Sequence, residues 1–135
     1  MKTEEAPLVL MADDDEDDCT LAKRAFKESG AVGALSCVEG GIELMAHLLG
    51  PGPLPALILL DLNMPLKDGR ETLKDIKSVP ALKKIPLVVL TTSREEKDMA
   101  YSREMGADSF ITKPSAFTEW VSIMKSLADR WLAAR

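Results

Sequence analysis

Asp61 closes the apolar run Leu57–Leu60 in the string LILLDLNMPLKDG. A short continuous apolar run ended by turn residues reads as a buried strand. Open α/β sheets keep their ligand sites at the carboxyl ends of such strands. A carboxylate there faces a crevice, where it can act as a nucleophile toward phosphorus once the developing charge is neutralised.

Other strand ends supply polar groups. The run Leu8–Ala12 leads directly into Asp13, Asp14 and Asp15, Leu87–Leu90 into Thr91 and Thr92, and Ser109–Ile111 toward Lys113 and Pro114. Gathered carboxylates repel, by about 4 kcal/mol for a pair near 4 Å at an effective dielectric of about 20. A hard divalent cation resolves that conflict, and Mg²⁺ suits an open edge with few protein oxygens.

The elements that must position these groups alternate. Helical patterning runs from Glu16 or Asp17 to Ser29, from Gly40 to Leu49, from Arg70 to Val79, from Ser93 toward Gly106, and from Ala116 to the C-terminus. Strands are read at Leu8–Ala12, Ala34–Val38, Leu57–Leu60, Pro86–Leu90 and Ser109–Ile111. Strand and helix repeated in this way imply a parallel sheet with helices on both faces. Uniformly apolar strands such as LILL and LVVL suit burial on both sides. Ser93, with Glu96 three residues on, forms a capping-box pattern, and Asp15 is placed to cap the first helix.

The 135 residues carry a formal charge of -5 and are 46% hydrophobic, which fits one domain and disfavours a nucleic-acid-binding surface. No apolar stretch is long enough to span a bilayer, and the acid-flanked N-terminal run is too short for a signal peptide. A cytoplasmic protein is expected. Cys19 and Cys37 are read as free thiols in a reducing compartment. The single histidine, His47, rules out a histidine-based cluster.

The strings LVLMADDDEDD, LILLDLNMPLKDG, VVLTTS and GADSFITKP, in this order, resemble the receiver domain of two-component response regulators. The similarity spans nearly the whole chain, and DLNMPLKDGRE, LTTS and SFITKP are similar to single-domain regulators that partner phytochrome-type sensor kinases. The resemblance implies a flavodoxin-like receiver fold: five parallel strands in a doubly wound sheet with five helices. It implies one receiver domain over residues 1–135, with no output domain. It also implies that Asp61 accepts a phosphoryl group from a sensor histidine kinase, of bacteriophytochrome type. Asp13, Asp14, Asp61 and the backbone carbonyl of Asn63 would hold Mg²⁺. Lys113 would pair with a phosphoryl oxygen, and its bond to Pro114 would be cis. Thr91 and Phe110 would switch on phosphorylation, and the fourth helix, fifth strand and fifth helix would form the signalling surface. Ser115 stands where the family often has phenylalanine.

Bland readings hold for neighbouring residues. Glu16, Asp17 and Asp18 are read as a solvated helix start, and Asp68–Gly69 as a turn. The last helix carries more apolar residues than one sheet face needs, which we read as a homodimer or partner surface. A phosphohydrolase of the haloacid dehalogenase type also uses a strand-end aspartate, lysine and Mg²⁺. It needs a second aspartate two residues later, where this chain has Asn63. A receiver-like module that binds partners without phosphorylation is the remaining alternative.

Overall fold

The computed structural model describes residues 6–132. The start of the N-terminal segment and the last three residues of the terminal helix reading lie outside the described residues. The chain runs β1 (Leu8–Ala12), α1 (Glu16–Glu28), β2 (Ala34–Val38), α2 (Gly41–Leu49), β3 (Leu57–Leu60), α3 (Gly69–Lys77) and α4 (Pro80–Lys83). It continues with β4 (Leu87–Thr91), α5 (Glu96–Glu104), β5 (Ser109–Thr112) and α6 (Phe117–Leu127), which ends in a wider π turn over Ala128–Leu132. All strands are parallel, in the order β2-β1-β3-β4-β5. The chain leaves β1 toward β2 on one side, and β3 flanks β1 on the other. The crevice between β1 and β3 is therefore the switch point where such sheets hold ligands.

Alternation along the strands divides the core. Val9, Met11, Leu57, Leu59, Val88 and Leu90 face α1 and α6, with Phe26, Trp120 and Met124. Leu10, Ala12, Ile58, Leu60, Leu87 and Val89 face the other layer, with Leu44, Leu73 and Ile76. The central strands are buried on both faces, which explains their unbroken apolar sequence.

Five helices were expected from the patterning, and the structure has six. The reading to Val79 overran because Val79 precedes a proline. Steric pressure from that ring pushes Val79 out of the helical region, to φ -103 and ψ 116, and Pro80 then opens the short α4. Ser93 does not cap α5; the cap position is Glu95, without a side-chain bond. The Ser93 hydroxyl instead donates to Asp98, at 2.6 Å. Asp15 does cap α1, accepting from the backbone of Asp17 and Asp18.

Two further expectations are corrected. Cys19 and Cys37 form a disulfide, with Cα atoms 6.1 Å apart, and are not free thiols. Pairing of β2 beside β1 sets Cys37 opposite Met11, under the first turn of α1 where Cys19 sits, a proximity that their spacing in sequence does not announce. No cis peptide occurs among the described residues, so Lys113–Pro114 is trans, the isomer that X-Pro bonds favour by about 0.5–1 kcal/mol.

Most of the apolar surface of the last helix is ordinary core. Trp120, Met124, Leu127, Ala128 and Leu132 are buried, and Val121, Ile123 and Trp131 pack against the same cluster. Phe117 is exposed at the start of α6, with the Arg24 guanidinium 5.7 Å from its ring centre. None of the helices among the described residues is long and apolar enough to cross a membrane.

Candidate functional site

β1 and β3 end side by side, with Ala12 opposite Leu60, and the next residue on each is an aspartate. The backbone locks this register: Asp61 N donates to Ala12 O at 3.1 Å and Asp13 N to Val38 O at 3.0 Å. Asp13 is 2% exposed and Asp61 5%. With the exposed Asp14, each offers a carboxylate oxygen, and the three oxygens lie within 4.8 Å of one another.

Asp61 Oδ1 accepts from Asn63 N at 3.1 Å, so the segment after β3 curls back over its own carboxylate. Gly69 makes that curl possible. A Cβ there would collide with the carbonyl oxygen of Asp61 and the Cα of Leu62. Gly69, read as half of a turn, thus packs its backbone directly against that of the acceptor residue. Asp68, its neighbour, caps α3 by accepting from Arg70 N at 2.8 Å.

Lys113 follows β5 and reaches across the sheet edge. Its Nζ lies 2.7 Å from Asp13 Oδ2, 3.2 Å from Asp61 Oδ2 and 2.7 Å from Asp18 Oδ2. Asp18, expected as part of a solvated helix start, is therefore a member of the cluster. The first turn of α1 faces the loop after β5 that carries Lys113, a contact that only the folded chain reveals.

The electrostatics follow from burial. Desolvation lifts the Asp13 carboxyl from its ordinary value near 3.8 to about 6, the nearby Lys113 ammonium opposing it only in part. Burial works against the charge of Lys113, but its bonds to Asp13 and Asp18 outweigh that and hold its pKa above the usual lysine value. Asp13 Oδ2 is buried against the Lys113 ammonium, 2.7 Å away. One ammonium answers several clustered carboxylates here, and the negative charge left over is what a cation-binding site supplies. These oxygens fit a hard divalent ion that keeps part of its water shell.

Thr91 ends β4, fully buried, and its hydroxyl accepts from Ser93 N at 3.4 Å. Thr92 is exposed. Phe110 is half-buried against the second core layer and lines a cavity of about 300 Å³ with Met99, Ser102 and Ala107. Asn63 is exposed beside Asp61, and His47 is an exposed residue of α2. Ser115 lies in the loop before α6, where Glu119 Oε1 accepts from Ala116 N at 3.4 Å and secures the helix start.

One group escaped the sequence reading altogether. Arg70 donates to Asp98 through Nε and Nη2, at 2.8 and 2.7 Å, and to the carbonyl of Leu62 at 3.3 Å. Asp98 is 3% exposed and also accepts from Ser93. The guanidinium beside Asp98 holds that carboxyl below its ordinary range, against the opposing effect of burial.

Residues 9–125 match the family model for the response regulator receiver domain. The chain belongs to that family. It is 38% identical over 130 residues to the response regulator Rcp1 of Synechocystis, covering 93% of this chain and 88% of the relative. The phosphorylated cyanobacterial phytochrome response regulator RcpA superposes with a TM-score of 0.87 at 38% identity, over 94% of each chain. The Mn²⁺-bound form of Rcp1 superposes at 0.85, with 36% identity and 96% of each chain covered. The five-stranded parallel receiver sheet read from the sequence is thus the observed fold, and the receiver is a signalling module of two-component systems.

Proposed function

We propose that this receiver takes a phosphoryl group onto Asp61 from the phosphohistidine of a sensor histidine kinase of phytochrome type, and that it signals through protein contacts. The carrying observation is the convergence of Asp13, Asp61 and Lys113 at one buried sheet edge, with the Asp14 carboxylate beside them. Likeness to Rcp1 and to the phytochrome response regulator RcpA supports the choice of pathway.

In the transfer, an oxygen of Asp61 bonds to phosphorus as the bond from phosphorus to the imidazole nitrogen breaks, and the electron pair stays on that nitrogen. Mg²⁺, held by Asp13, Asp14, Asp61 and the carbonyl of Asn63, would neutralise charge on the phosphoryl oxygens. Lys113 offers a fixed positive charge to another oxygen. Thr91 would turn its hydroxyl from Ser93 N toward the new group, and Phe110 would rotate inward behind it. The readout surface is then α5, β5 and α6, which also serves a homodimer. Nothing in this scheme makes the protein an enzyme acting on a separate substrate.

We place the protein in the cytoplasm with the kinase's catalytic core, acting as one receiver domain over 1–135. Asn63, where the haloacid dehalogenase type needs aspartate, counts against a phosphohydrolase.

Intact mass after incubation with acetyl phosphate, with and without Mg²⁺, tests the reading. A metal-dependent gain of one phosphoryl group, absent in Asp61→Asn, is expected. No gain, together with no binding of beryllofluoride, would instead favour the phosphorylation-independent module.

A further inference from the structure

The Arg70–Asp98 pair lies outside the acidic pocket yet touches both loops that frame it. On one side Arg70 opens α3 directly after the acceptor loop, bonded to the carbonyl of Leu62 at 3.3 Å and to Asp68 Oδ1 at 3.1 Å. Tyr101 of α5 reinforces that attachment, its hydroxyl donating to Arg70 O at 3.1 Å. On the other side Asp98, in the first turn of α5, receives two guanidinium bonds and the Ser93 hydroxyl. Ser93 N in turn donates to the Thr91 hydroxyl. A continuous chain of bonds therefore runs from Leu62, beside Asp61, through Arg70, Asp98 and Ser93 to Thr91.

This chain has a direction. With the Thr91 hydroxyl accepting from Ser93 N, the threonine is held back toward its own loop. To contact a group on Asp61 it must leave that bond, and the backbone at 91–93 must shift. Ser93 resists, because its hydroxyl is fastened to a buried carboxylate that is itself fixed by a two-pronged guanidinium. Charge-assisted, two-pronged pairs of this kind are the strong and geometrically exacting ones.

We propose that Arg70 and Asp98 are positioning residues forming a latch that favours the resting position of the Thr91–Ser93 loop, so that occupation of the acceptor site must work against it. The latch acts through Thr91 and Ser93, not by touching the reacting atoms. It rests on the assignment of Asp61 as acceptor. Because Asp98 is mounted on α5, release of the latch is also the step at which the pocket's state reaches that helix.

Calorimetric titration with beryllofluoride in the presence of Mg²⁺ tests this on the full chain, together with Mg²⁺ alone and thermal melting. Wild type should bind the phosphoryl mimic and Asp61→Asn should not; absence of binding by wild type would overturn the acceptor assignment and the latch with it. Asp98→Ala should bind the mimic about tenfold tighter, the equivalent of removing one charge-assisted hydrogen bond from the resting state. Its affinity for Mg²⁺ alone should match wild type. Should Asp98→Ala fail to fold, the isosteric Asp98→Asn serves, with a gain of about threefold expected from its weakened, neutral acceptor. A lower melting temperature with unchanged or weaker mimic binding would reduce the pair to a structural brace and overturn the proposal. The double variant Arg70→Gln/Asp98→Ala should keep the gain. Loss of the gain there would mean that a freed Arg70 attracts the anion, which also overturns it.

Discussion

Asp18 Oδ2 holds the Lys113 ammonium at 2.7 Å, closer than Asp61 Oδ2 does at 3.2 Å. The lysine that faces the acceptor is thus partly retained by an acid on α1. Asp18 is half-buried, so the pair is not a freely solvated one. Asp18→Asn should lower stability by about 1 kcal/mol, while phosphorylation by acetyl phosphate persists. Thermal melting and intact mass on the same sample would separate the two effects; loss of phosphorylation would make Asp18 part of the transfer machinery.

Asp13 carries the cost of burial in the metal-free protein. Its folded carboxyl titrates near 6 where an unfolded one titrates near 3.8, so the unfolded chain binds fewer protons between those values. Its contribution to stability therefore falls as pH rises through that window. At neutral pH, Asp13→Asn should stabilise the metal-free protein, by up to about 3 kcal/mol. It should also weaken the further stabilisation that Mg²⁺ gives wild type. Urea unfolding with and without Mg²⁺ reads both; an Asn variant less stable than metal-free wild type would contradict the account.

Asp98 behaves in the opposite sense. Its folded carboxyl lies below the ordinary value, held there first by the Arg70 bond. Its contribution is present above the unfolded value near 3.8 and is lost as pH falls through the folded one. Asp98→Asn should cost about 1–3 kcal/mol at neutral pH. That deficit should shrink as the solution is taken below about pH 4. Unfolding curves collected across pH 3 to 7, about where the carboxylates titrate, would show whether it does.

The Cys19–Cys37 link closes a loop with a sequence separation of 18. Chain-entropy reasoning assigns such a loop about 3 kcal/mol. Adding a thiol reductant should lower the melting temperature of wild type and leave a Cys19→Ser/Cys37→Ser variant unmoved. A wild type indifferent to reductant would show that the thiols are not joined in solution.

What could be read from the sequence was what short windows contain. LILL and LVVL end in the residues that the sheet delivers to one edge, because a strand's end is a local property. Asp13, Asp61, Thr91 and Lys113 were found on that ground. Asp18 and Arg70 were not, since their partners are separated from them by 95 and 28 residues respectively. The same limit hid the neighbouring cysteines, whose meeting depends on β2 pairing with β1. The Ser93 box was a correct pattern with the wrong outcome: a buried carboxylate, invisible locally, outcompeted the backbone for its hydroxyl.

Asp13 and Asp61 directly follow, and Thr91 ends, strands buried on both faces. Such strands are drawn from the part of a domain that opens last in hydrogen exchange. The repelling carboxylates are thus anchored to backbone of the slow-opening kind, and the groups that must move sit at the end of β4, on the loops and on half-buried β5. Exchange in β1, β3 and β4 should therefore slow together, and only by as much as occupation of the pocket stabilises the whole fold, whereas changes beyond that should be confined to the loops and β5.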